Sequence, residues 1–374
     1  MARAATDRFF RTLPLSMMAA AAAGAALWGA GWTEQADAMP WLVSLGFVGL
    51  PHGAADLAIA RRTRARGATL RLAAVYVAFM VGVLALFLAM PLLVIAVFAA
   101  VSVWHFGMAH ADGEEPPVTG GFTTQAVAAV ARGGLVLGVP MARWPDATAT
   151  VAGDVVRLVT GQPVSAEPGL VRVFGIALTV LVIAAFLAEI VGARRRPEPL
   201  RRTMATALEL SVIAALGLTT APLFSVGVYF LCWHGWRQMR LLMPIVAGAA
   251  PTDAASLARG LAAVHFAGWP LLLPTWLALA TAWWILSSDH SARDLALLSL
   301  AFYVVVTPSH DLLIDLMRHR MSRLTEATSP RARPEPTMHP RLHRQHEPGR
   351  RWARAVELLR GRMQRRSRRQ AGSR

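Results

Sequence analysis

The chain has 374 residues, 55% of them hydrophobic and only 16% charged, with a mean hydropathy of +0.43. That excludes the soluble multidomain class its length alone would suggest and places it among polytopic membrane proteins. The net charge of +16 does not mark a nucleic-acid binder, because 17 Arg against 4 Glu from Met317 onward hold +13 of it. The single cysteine, Cys232, rules out an intrachain disulfide and reads as a small core residue.

At roughly 20 apolar residues per crossing, spans are predicted at 13–31, 39–60, 72–90, 91–111, 123–142, 170–191, 204–222, 224–246, 270–288 and 294–316. The expected fold is all-α, a polytopic integral membrane helical bundle of about ten transmembrane helices. Arg3, Arg8 and Arg11 precede the first apolar run, which continues to Gly31 and reads as an uncleaved helix. Arg132 interrupts the fifth span and Glu209 lies in the seventh. A shorter helix over 253–267, capped by Thr252 or Asp253, is expected at the membrane interface. With ten spans, the Arg-rich N-terminus, 61–66, 194–202 and the tail fall on one side, and the loops with Glu34, Asp37 and Asp289 on the other. Short Arg-rich loops stay cytoplasmic, so both termini are expected inside a cell inner membrane. Residues 1–320 form the membrane body; residues 321–374 form a basic, Arg-rich tail, expected to be disordered or laid on lipid headgroups.

Four histidines lie inside spans: His52 in GLPHGAAD, His105 in SVWHFGMAH, His234 in FLCWHGWRQ and His310 in TPSHDLLID. An ionisable side chain is expensive in lipid and is a functional-site candidate by default. The four spans all run from outside to inside, and each histidine lies at a similar depth, so the imidazoles can converge on one metal ion. Any one of them alone reads better as a satisfied core histidine; four at one depth reverse that. Imidazole suits iron, copper, nickel and zinc. Asp56, one turn after His52, is expected to orient its imidazole, and Gln238 stands in the same relation to His234. Asp311 and Asp315 follow His310, and His110 follows His105 as a further candidate to hold the metal or to orient one of its ligands. Pro51 and Pro308 are expected to break their helices. Trp104, Phe106, Tyr229, Phe230, Trp233 and Trp236 crowd three of the motifs; they read as helix packing, or as the lining for a long apolar ligand entering from the bilayer.

GLPHGAAD, WHFG, WHGWR and TPSHD, in this order between Gly49 and Asp315, resemble the Brp/Blh family of membrane carotenoid cleavage enzymes. The resemblance implies a beta-carotene 15,15'-dioxygenase that uses non-haem Fe(2+) and dioxygen to split the central double bond of a carotenoid drawn from the lipid membrane, giving retinal. It also implies His52, His105 and His234 as iron ligands. Two positions depart from the family pattern. Gln238 stands where the family has a second histidine, leaving His310 or a three-histidine site to complete the set, and His110 stands where it has an acid. The competing readings are a carotenoid-binding protein that has lost catalysis, for which Gln238 is the evidence, a proton-coupled transporter using intramembrane His and Asp, and a haem or quinone redox protein.

Overall fold

A computed structural model describes residues 8–55, 66–112, 122–193 and 200–328. Those residues are almost entirely helical and contain no strand. A π-helical turn, Arg8–Thr12, leads into α1 (Leu13–Trp28), and α2 (Gly31–Gln35) turns the chain into α3 (Ala38–Ser44). α3 widens into a π-helical segment, Leu45–Gly49, before the helical residues 50–55. Then follow α4 (Arg66–Ala89), α5 (Pro91–Asp112), α6 (Phe122–Arg143), α7 (Pro145–Thr160), α8 (Pro168–Ala193) and α9 (Leu200–Thr219). α10 (Pro222–Tyr229) runs through a π-helical segment, Phe230–His234, into α11 (Gly235–Val246); α12 (Ala254–Leu286) and α13 (Ala292–Thr328) complete the described chain.

Seven of the described helices are each long and apolar enough to cross a bilayer. The other three expected spans fall on α3 with its continuation to residue 55, on the shorter apolar helix Thr203–Thr219, and on α10 to α11, where π-helical turns divide the helix. One expectation is corrected. The interfacial helix over 253–267 and the span over 270–288 are a single helix of 33 residues, with Pro270 and Pro274 inside it. Proline is tolerated there because neighbouring groups in a membrane bundle re-satisfy the carbonyls it frees. Asp253 caps this helix, accepting from the backbone N–H of Ser256 at 2.7 Å. α7 was not expected. Its ends carry ordinary helix signals, Pro145 in the first turn and Gly161 at the C-cap with φ of 72°.

The bundle has an inner and an outer layer. The apolar windows of α4, α8 and α12 are only 6%, 17% and 11% buried, so they face lipid, whereas those of α5, α6 and α13 are 39%, 61% and 44% buried. α5 and α6 cross closely because Gly107 sits against the Ala129 carbonyl and Gly133 against the Val103 carbonyl, where a Cβ has no room.

The charges inside the spans are matched across helices. Arg132, 1% exposed, makes a bidentate pair with Glu189 at 2.7 and 2.8 Å, tying α6 to α8. Glu209 accepts from Arg11 at 2.7 Å and from His110 at 2.8 Å, with Arg237 at 3.7 Å. Unpaired charge in lipid costs several kcal/mol; these partners let the two spans carry it.

Candidate metal centre

Two of the histidines are aimed by π-helical turns. Leu45–Gly49 ends just before the turn that carries His52, and Phe230–His234 ends on His234 itself. A π-helical turn adds a residue to the loop closed by each hydrogen bond, which rotates the following side chains, and such turns cluster at functional sites. Pro51 lies inside a continuous helical run, residues 45–55, so it does not break its helix as expected; its missing N–H leaves one carbonyl of the preceding turn unbonded. Pro308 lies inside the helical run of α13, so the break expected there is absent.

His52, His105 and His234 converge: one ring nitrogen of each lies within 4.8 Å of the other two. Nε2 of His105 and Nε2 of His234 face each other at 3.1 Å. His52 Nδ1 is 2.9 Å from the Val48 carbonyl, which can only accept, so that nitrogen carries the proton and Nε2 presents a lone pair. His105 Nδ1 is 2.5 Å from Asp311 Oδ1, which in the same way leaves Nε2 as the lone pair. His234 Nδ1 is buried and has no hydrogen-bond partner among the described residues. With its proton on Nε2, His234 donates to His105 Nε2 across that 3.1 Å; with its proton on Nδ1, three imidazole nitrogens converge as lone pairs, a donor set that fits a divalent cation.

His310 stands just outside the three. Its ring is 5.4 Å from that of His105 and 5.8 Å from that of His52, centroid to centroid. His110 is not with them. Its Nε2 is 2.8 Å from Glu209, and its Nδ1 accepts from the Trp233 indole at 3.3 Å, so it belongs to the buried ion cluster. Gln238 is half-buried on α11, one turn past His234. Asp56 and the side chain of Asp315 lie outside the described residues. Asp311, grouped in the sequence with the histidine beside it, pairs instead with a histidine 206 positions away, which no local spacing reveals.

The centre opens on a cavity of about 290 Å³ whose wall includes His52, His105 and His310 and is otherwise mostly apolar. Of the six aromatics singled out, Phe106 and Phe230 line it. Phe230 stacks on His234 at 5.0 Å, and Phe106 meets the same ring edge-on at 4.9 Å. The other four are not among its lining. Trp104 stacks on Phe122 at 5.8 Å, Tyr229 packs behind Phe106 at 5.3 Å, Trp233 lies under Arg237 at 4.7 Å, and Trp236 donates to the Phe9 carbonyl at 2.7 Å. Trp41, Tyr303 and Phe98 take their place in the wall. They stand seven or more residues before the histidine on their own helices, beyond the reach of a motif-centred reading.

A lipid-facing outer layer around helices that gather imidazoles beside an apolar cavity defines a polytopic membrane protein with a candidate metal centre and room for a lipid-soluble ligand. A family model described as Beta-carotene 15,15'-dioxygenase matches residues 43–318. The chain belongs to that family, and the matched region contains all four histidine motifs. No curated protein and no solved structure matches the chain.

Proposed function

We propose that the chain cleaves beta-carotene or a related carotenoid at the central 15,15' double bond with dioxygen, giving retinal, in a cell inner membrane with both termini cytoplasmic. The observation that carries this reading is the convergence of three imidazole nitrogens at the edge of an apolar cavity in a member of a carotene dioxygenase family. His52, His105 and His234 would hold Fe(2+), with His310 beside them as the fourth candidate. When bound, iron would supply the activation of dioxygen that a closed-shell polyene cannot provide itself.

The residues have separable tasks. The Val48 carbonyl and Asp311 keep the His52 and His105 rings in the tautomer that turns Nε2 inward. Phe106 and Phe230 flank His234, hold its ring in place and exclude water from the side where the polyene lies. The apolar wall contributes position and dryness, and no side chain is required to transfer a proton, because cleavage of a carbon–carbon double bond to two aldehydes moves none. Glu209 pairs with Arg11, His110 and Arg237, and this cluster stands apart from this chemistry.

Expression in carotene-producing cells tests the reading. Loss of colour with retinal in the extract, together with iron in the purified protein, supports it. Retained iron with intact carotene favours a protein that binds carotenoid without cleaving it; absence of both iron and retinal removes the enzyme reading.

A further inference from the structure

We infer that the cavity is a gauge: it accepts one half of the polyene, from an aromatic end wall to the histidines, and so fixes which double bond is presented for cleavage. This rests on the carotenoid-cleaving reading above and adds what sets the position of the cut.

The cavity lies almost wholly to one side of the histidines. On α13, Phe302 and Tyr303 line it eight and seven residues before His310; on α5, Phe98 lines it seven residues before His105; on α3, Trp41 lines it eleven residues before His52. In the other direction the lining on these three helices reaches only Phe106, one residue past His105, and Gly53 and Ala54, one and two past His52. The three helices point the same way, because Trp41, Val94, Leu297 and Val304 share one buried cluster at that end. Trp41 donates to Ser299 at 2.6 Å and meets the Tyr303 ring at 5.6 Å, which closes the wall there.

Lengths agree. Seven to eleven helical residues at 1.5 Å each put the end wall about 10 to 16 Å from the histidines. An extended chain advances about 1.2 Å per bond, so the nine bonds and end ring on one side of the central double bond of beta-carotene need roughly 14 Å. The second half does not fit: about 290 Å³ is at the low end of what a drug-sized ligand occupies, and a forty-carbon polyene is larger. α4 supplies its way out. Leu72 and Ala73 line the cavity 18 and 17 residues before Met90, whereas His105 lies 15 residues after it, so the α4 wall continues past the histidines. α4 is also the most lipid-exposed span, and the protruding half passes along it into the bilayer. The cut itself adds one oxygen atom of dioxygen to each carbon of the broken double bond. The O–O bond breaks, both carbons are oxidised as dioxygen is reduced, and no further reductant is needed.

The test uses the full chain, purified and supplied with ferrous iron, on two substrates: beta-carotene, and a polyene with one end ring whose other end is trimmed to an aldehyde. The gauge predicts a ringed fragment of twenty carbons from both. A ringed fragment that shortens to follow the midpoint of the trimmed chain, or a trimmed chain left whole while beta-carotene is cut, overturns the gauge alone. No aldehyde from either substrate overturns the cleavage reading and the gauge with it. Phe98→Ala and Phe302→Ala, on separate helices, deepen the end wall; each is expected to turn the two equal aldehydes from beta-carotene into an unequal pair whose carbons still total forty. Folded, iron-loaded variants that retain equal halves, or that cut nothing, overturn the gauge.

Discussion

α5 carries two buried histidines five residues apart, and their surroundings differ in kind. His110 is enclosed by groups that satisfy both of its nitrogens: Glu209 accepts from it and from Arg11 and forms an ion pair with Arg237 at 3.7 Å, while the Trp233 indole donates to its Nδ1. His105 is held by a carboxylate on one side and meets other imidazoles on the other. Asp311 fixes its Nδ1, and its Nε2 faces the Nε2 of His234 with a third imidazole nearby. A buried polar group normally ends in a partner. The first cluster closes on one carboxylate shared by Arg11, His110 and Arg237, whereas the second gathers three imidazoles around one point and leaves His234 Nδ1 without a hydrogen-bond partner among the described residues. Convergence of several imidazole nitrogens on one point, rather than the presence of histidine, separates a ligand site from a structural knot.

Substitutions on the two sides should therefore differ in what they damage. The largest effect is expected from His105→Ala, which removes a ligand while leaving the fold: iron content and retinal formation should fall at least about 100-fold, more than the loss of an orienting partner costs, while helicity is unchanged. Metal analysis and product chromatography check it. Asp311→Asn keeps the shape but weakens the hold on the His105 tautomer; iron affinity should drop about 10- to 100-fold, read by chelator competition. Retention of full affinity would mean that the pair with Asp311 is incidental.

Glu209→Gln should do the reverse. It leaves Arg11 and Arg237 without their buried anion and is expected to destabilise the bundle by about 3 kcal/mol, with the iron-to-protein ratio of the folded fraction unchanged; denaturation in detergent and metal analysis separate the two. A loss of iron there would erase the distinction between the clusters. The smallest effect belongs to Asp253, far from both. Its carboxyl is held below the usual carboxylate range by the backbone N–H of Ser256 that it caps. A lowered folded-state value means that the stabilisation is fully present above the unfolded carboxylate range and fades as pH falls through the lowered value. Asp253→Ala should remove that acid-side dependence and fray the start of α12, seen by amide exchange, with no change in iron or product.

The membrane class and the four histidines were legible in the sequence because burial in lipid makes charge and imidazole conspicuous by cost. What escaped was anything fixed by a distant partner. Asp311 reads locally as a neighbour of His310, and only the fold sets it against His105. His110 looks like a spare ligand until Glu209, 99 positions away, is brought to it. The π-helical turns before His52 and ending on His234 depend on packing and leave no motif. The expected gap between 253–267 and 270–288 is absent because α12 runs on through Pro270 and Pro274, and proline's rule is weaker where neighbouring helices cover the gap. Adjacency in sequence did not decide between packing and lining for the aromatics: Trp104 and Trp233 flank ligand candidates yet pack on Phe122 and Arg237, while Trp41, eleven residues from His52, lines the cavity.

The most direct test of the central claim is the iron content of the purified full-length chain, measured beside His234→Ala prepared in the same way. About one iron per chain in the first and almost none in the second is the predicted result, since affinity in such a site depends on its ligand count. Equal iron in both, or none in either after ferrous iron is supplied, would contradict the assignment of the converging imidazoles as a metal centre.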